Sequence, residues 1–286
     1  MKIQWDNEAI SSFVLWLDHT ILSKGDAYVN FSSKIFPIDS PYTNFYMYGL
    51  PFRQIVADAS ITGAQIMSGI YVNGVYCNIG QSGIVDISYE KGHVYSTQNL
   101  NNARLSGNFA VKDFNVYLTS KQDYEILFET KYETRPKTSR ALTGLAPDVV
   151  TYPVIFVKNM GSSNTPFALG GQETTTVRLR LSILADSQFG LDAVSSIIRD
   201  KKETYIPLIS SNNMPFNNLG GAVGGRYSYN ERAAASSSPY ELFISRVDVS
   251  RFGSSAVNIA NMNELTTDIF STLIDVDLEA VRQPRL

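Results

Sequence analysis

Apolar positions in the first 25 residues recur at helical spacing. Ile10, Phe13, Val14, Leu17 and Ile21 fall on one face at i, i+3, i+4, i+7 and i+11, which predicts an amphipathic N-terminal helix. Asp6 or Asn7 is placed to accept the free amide hydrogens at its start, and Gly25 to take the left-handed conformation that ends it. Residues 26–52 then lose any period. Pro37, Pro41 and Pro51 interrupt a run rich in Phe and Tyr, which reads as an ordered, extended segment lying across another surface, since disordered tails are poor in aromatics.

From 53 to 131 the pattern is that of strands. Asn73-Gly74 separates Ile70-Tyr71-Val72 from Val75-Tyr76-Cys77. Both central residues of a type I′ turn need positive φ, which Asn and Gly tolerate, so these residues predict a hairpin. Val85, Ile87 and Tyr89 alternate with Asp86, Ser88 and Glu90, a strand with one wet face, and Lys91-Gly92 turns the chain into His93-Val94-Tyr95. Strands at Phe114–Leu118 and Tyr124–Phe128 follow. Residues 133–150 break the pattern with two prolines and the basic residues Arg135, Lys137 and Arg140.

A second block opens with a short strand at Val154–Val157 and a polar, glycine-rich loop at 159–172. The cleanest alternation in the chain places Val177, Leu179, Leu181 and Ile183 against Arg178, Arg180 and Ser182. Ser187 is placed to cap a helix with Leu191, Val194, Ile197 and Ile198 on one face, closed by Arg199, Lys201 and Lys202 at its negative pole. A strand near Tyr205–Ile209, a long Asn/Ser/Gly loop at 210–238, and strands at Tyr240–Val249 and around Ile274–Ala280 complete the chain. Loops of that length inside a compact domain are more often functional or disordered, and deleting 212–236 is expected to spare folding but abolish assembly. Three segments result: a helix plus β-rich block at 1–132, a linker or arm at 133–150, and an α+β block at 151–286. The fold class is α+β, with mainly antiparallel, sandwich-like sheets, the N-terminal helix, one further helix near 189–200, and long extended loops.

Composition narrows the function classes. Charged residues are 18% of the chain, below the roughly 25% of an average soluble protein, and Asn (20) and Ser (31) fill the deficit. A net charge of −3 gives a weakly self-repelling surface, which suits a subunit held among copies. Net acidity without a basic stripe argues against sequence-reading of nucleic acid. One cysteine, Cys77, precludes an internal disulfide and a Cys-based zinc site. The N-terminus has no signal-peptide pattern, and the longest apolar runs, Phe13–Leu17 and Val154–Val157, fall far short of the ~20 residues of a membrane span.

Candidate chemistry is thin. His19 and His93 have no His, Cys or carboxylate at metal-ligand spacing, and no Gly-x-Ser-x-Gly nucleophile elbow is present. Cys77 follows a turn in a strand, where a small buried residue is expected. Asp275, Asp277 and Glu279 alternate along the last strand and share one face, which reads as a solvated face before a cation site. The cluster GGAVGG at 220–225 lacks the Lys and Ser/Thr of a phosphate loop. Arg135, Lys137 and Arg140 read as a solvated loop, or as an arm laid on an acidic neighbour or facing packaged DNA. No catalytic, cofactor-binding or metal-binding residue is assigned, no cofactor is expected, and the chain reads as a non-enzyme.

The stretch TTTVRLRLSILADSQFGLDAVSSIIRDKKETYIPLI, Thr174–Ile209, resembles the strand–helix–strand core of bacteriophage neck and tail-terminator (tail completion) proteins. The closing ELFISRVDVSRFG and DVDLEAVRQPR are similar in texture to virion structural proteins. The resemblance covers about a third of the chain. It implies a homo-oligomeric ring in the virion, joining head to tail or capping the tail tube, with copies of itself and tail-tube, sheath or connector proteins as partners. DNA would pass through its lumen, no membrane would be involved, and assembly would take place in the host cytoplasm. A baseplate or sheath-associated part, a receptor- or carbohydrate-binding β-module and a hydrolase on a β scaffold are the competing expectations.

Overall fold

The structure, a computed structural model, describes residues 5–123, 125–126, 134–135, 150–167, 171–215, 226–235, 241–251 and 270–283. It is α+β with mainly antiparallel sheets. Helix α1 (Trp5–Gly25) opens the chain. Strands β1 (Tyr28–Lys34), β2 (Phe36–Ile38), β3 (Tyr46–Gly49), β4 (Gly69–Val72), β5 (Val75–Asn78), β6 (Ile84–Ser88), β7 (His93–Ser96) and β8 (Leu105–Lys112) form two four-stranded sheets, ordered β1-β8-β4-β5 and β2-β3-β7-β6. The larger, six-stranded sheet has the order β14-β15-β16-β13-β12-β9. Its members are β9 (Asn115–Thr119), β12 (Val154–Pro166), β13 (Glu173–Ala185), β14 (Tyr205–Pro207), β15 (Glu241–Arg251) and β16 (Phe270–Arg282). A short parallel pair joins β10 (Thr134–Arg135) to β11 (Val150–Thr151), and α2 (Gln188–Arg199) and α3 (Tyr229–Ala234) complete the fold.

Local chemistry explains several joints. Asn73 and Gly74 take φ of 51° and 87°, as the β4–β5 hairpin requires, and Val72 pairs with Val75 across them. Ser187 caps α2 by accepting from the Gly190 amide at 3.1 Å. Helix α1 ends differently from expectation. Gly25 is still helical and Asp26 takes the left-handed turn at φ 44°, a conformation short Asp side chains tolerate. The start also differs, since Asp6 and Asn7 lie inside the helix and Asp6 accepts instead from the Ser162 hydroxyl.

Helix α1 is buried well beyond the expected stripe. Phe13, Leu17 and Ile21 are buried as the spacing predicts, but so are Leu15, Leu22 and Trp16. Its polar residues reach partners on other elements: Ser12 accepts from the Ile209 amide at 2.9 Å and Asp18 meets Lys112 of β8 at 2.6 Å. These pairings let polar positions go inside. One continuous core holds Phe13 and Leu17 together with Phe109 and Ile70 of the first block and Leu179, Val276 and Leu191 of the second.

Three further expectations change. Residues 26–52 are extended as expected, but they lie in the chain's own sheets: β1 pairs with β8, and β2 and β3 pair in the sheet that β7 and β6 complete. Exposed positions alternating with single half-buried ones hid the strand period there. The polar 159–172 stretch is strand up to Pro166, with a bulge between Asn159 and Gly161 where Gly161 takes φ 108°. At 123–126 the described residues are helical, not extended, because Ile126 turns inward against Tyr152, Val154 and Leu184. The loop at 210–238 contains a 3-10 turn at Ser211–Asn213 and α3, whose Ser228 cap accepts from the Glu231 amide.

Candidate functional site

The densest polar cluster forms where α1 meets the 54–61 loop and α3. His19 Nδ1 lies 2.7 Å from Asp58 Oδ2, and the other carboxylate oxygen accepts from the Ser60 amide (3.0 Å), the Ser60 hydroxyl (2.6 Å) and the Tyr229 amide (2.9 Å). The Tyr229 ring stacks on His19 at 4.5 Å. Burial by itself would raise the Asp58 carboxyl, but the hydrogen bonds from His19, Ser60 and Tyr229 outweigh it and hold the group below the usual carboxylate range. Burial pushes the Tyr227 and Tyr229 hydroxyls up, with Asp58 adding to both.

Ser, His and Asp together invite a catalytic reading, and the geometry does not support it. A triad places the carboxylate on one imidazole nitrogen and the nucleophile on the other. Here Ser60 Oγ and Asp58 both face Nδ1, with Ser60 at 3.4 Å from it and its hydroxyl bonded to the Asp58 carboxylate. The cluster therefore ties three chain segments together.

Beside it, a cleft of about 390 Å³ is lined by Val14, Asp18, Glu90, Lys112, Tyr117 and Tyr227, among others. Its polar walls bind one another. Lys112 pairs with Asp18 at 2.6 Å, and Tyr117 hydrogen-bonds Gln54, so these groups present no row of open donors to a ligand.

The remaining candidates have structural places. His93 opens β7, opposite Gly49 and Ser88, with its ring edge-on to Tyr95. Cys77 is buried in β5, with its sulfur 3.2 Å from Ser82 Oγ. Asp275 and Asp277 face Arg180 and Arg178 of β13, and Glu279 faces Thr176. Arg180 grips Asp275 with two bonds of 2.7 and 3.1 Å and reaches Asp123 at 3.3 Å, and Arg246 lies 3.9 Å from Asp277, so Asp275 and Asp277 are ion-paired. Among the described residues, no group of three or more His, Cys, Asp or Glu could hold a metal ion. Arg135 lies on β10, whereas Lys137, Arg140 and the glycine cluster at 220–225 fall outside the described residues.

The feature that sequence reasoning missed is the hairpin of β12 and β13. Each strand has 13 residues, about 43 Å at ~3.3 Å per residue. Its inner half is core, but every residue from Asn159 to Phe167 is exposed, and none is charged. Met160 and Phe167 are 46% and 61% exposed at a place where polar cover would otherwise be expected. Thr, Ser and Asn with no buried face give no alternation to read. The one signal was the matching polar run Glu173–Thr176 on the other strand.

No described helix is long and apolar enough to cross a membrane. Compared with models of known protein families and with curated proteins, the sequence matches none.

Proposed function

We propose that this chain is a structural subunit of a bacteriophage virion, assembling with copies of itself into a ring at the neck or tail end. The observation that carries the reading is the exposed outer half of β12, Asn159–Pro166, on an edge of the large sheet. Eight consecutive exposed, uncharged residues along a sheet edge gain little in a solitary molecule and leave backbone groups open. A neighbouring copy supplies the cover.

Two further features support it. The residues that resemble tail-terminator proteins, Thr174–Ile209, are arranged as strand β13, helix α2 and strand β14 in that order. Phe189 at the start of α2 and Tyr205 on β14 are 85% and 66% exposed, the surface character of a subunit contact. A glycan-binding platform draws less support, because both tryptophans, Trp5 and Trp16, are buried. Adjacent tail-tube, sheath or connector proteins would be the further partners, and DNA would pass through the ring.

Negative-stain microscopy of the purified protein, together with gold labelling of particles at its C-terminus, tests the reading. Rings of uniform diameter and label at the head–tail junction or tail end are expected. Label along fibres, or none on the particle, would refute it.

A further inference from the structure

The six-stranded sheet has two stepped edges. On one side, β9 covers β12 only from Val154 to Lys158; among the described residues no strand pairs with the outer edge of β12 from Asn159 to Pro166. On the other side, β14 covers β15 only from Glu241 to Phe243, and no described strand pairs with its outer edge from Arg246 to Arg251. The open lengths are similar, eight residues on β12 and six on β15.

The two steps are complementary in shape. Following the register across β13 and β16, Gly161 stands level with Asp277 and Pro166 with Arg282, whereas Arg246 stands level with Asp277 and Arg251 with Thr272. The open stretches therefore lie on opposite sides and toward opposite ends of the sheet. Strand directions alternate from β12 through β13 and β16 to β15, so a copy placed edge-on in the same orientation presents β15 antiparallel to β12.

The backbone groups also face the right way. Phe167 donates to Gln172 across the hairpin, so alternation along an antiparallel pair turns Ser162, Asn164 and position 166 outward. Position 166 is proline, which has no amide hydrogen to lose there. On β15, Ile244 exchanges hydrogen bonds outward with Glu203 and Thr204. With the bulge between Ile244 and Arg246 counted, Val247 and Val249 continue that outward set. Charge, which protects many exposed edges, is absent from Asn159–Pro166; the bulge at Asn159/Gly161 and Pro166 stand only at its two ends.

We propose that copies of this chain join head to tail through their sheets, with Asn159–Pro166 of one copy pairing antiparallel with Arg246–Arg251 of the next. The contact is heterologous, so it propagates into rings or helical stacks. It rests on the assembly reading above and names the strands that would make that assembly.

Two proline variants test it, each removing one outward amide while leaving the inward ladder of its own sheet in place: Asn164→Pro and Val249→Pro. Circular dichroism and thermal melting establish that each is folded, and light scattering reads the mass. The wild type should assemble, and each variant alone should be a monomer. An equimolar mixture should form one-to-one dimers and nothing larger, because each variant keeps one working edge. Variants that still assemble, or folded monomers that fail to pair on mixing, would overturn the strand pairing and leave the assembly reading standing. A wild type that stays monomeric would overturn both.

Discussion

His19 on α1 and Asp58, 39 positions further along the chain, meet at 2.7 Å, and Asp58 is fully buried while doing so. This contact, with Tyr229 closing over it from α3, links three segments that the sequence keeps far apart. Asp58→Ala would leave the Ser60 and Tyr229 amides and His19 without their acceptor. Leaving buried donors unpaired in this way costs about 1–3 kcal/mol for each, and urea denaturation at neutral pH should show a loss of at least that size.

Acid sensitivity follows from the same group. The folded-state pKa of Asp58 lies below its unfolded value, which is about 3.9 for a free aspartate. Its stabilisation is therefore fully present above that pH and is lost as pH falls through the lower folded value. Asp58→Asn should remove this part of the acid dependence. Denaturation midpoints measured between neutral and strongly acidic pH should fall less steeply for the variant than for the wild type.

Gly69 opens β4 against the backbone of β5. A Cβ there would stand 2.1 Å from the Cys77 carbonyl oxygen and 2.8 Å from Asn78 Cα. Backbone on a paired strand cannot rotate away, so Gly69→Ala should lower stability by about 1–3 kcal/mol, a typical overpacking cost. Thermal melts of the two proteins measure it, and an unchanged Tm would contradict the packing described.

Arg180 and Asp275 sit about a third exposed on the outer face of the large sheet. Asp275→Asn should therefore cost no more than about 1 kcal/mol, and high salt should shrink the difference. Because Arg180, Arg178 and Arg246 flank Asp275 and Asp277, and no group of three or more His, Cys, Asp or Glu among the described residues could hold a metal ion, calcium or magnesium should leave the Tm of the wild type unchanged.

Much of the fold was legible where one face of an element is buried and the other is wet. The β13 alternation, the Asn73-Gly74 turn and the Ser187 cap all left local signals that the structure bears out. The same logic failed for β1 and for the outer half of β12, since strands exposed on both faces carry no period. It failed in the other direction for α1, where Asp18 and Ser12 look like a solvent face but find partners on β8 and near Ile209. His19 and Asp58 share no spacing that sequence could show. The segment 212–236, expected to be dispensable for folding, carries Tyr227 and Tyr229, which pack beside Asp58. Its deletion should unfold the chain instead of sparing it.

The proposed assembly requires this chain to live among copies of itself. Light scattering coupled to size exclusion across a range of concentrations measures that directly. The account predicts a mass several times the 31.7 kDa of one chain, rising with concentration toward a closed ring. A single species of one-chain mass at every concentration would contradict it.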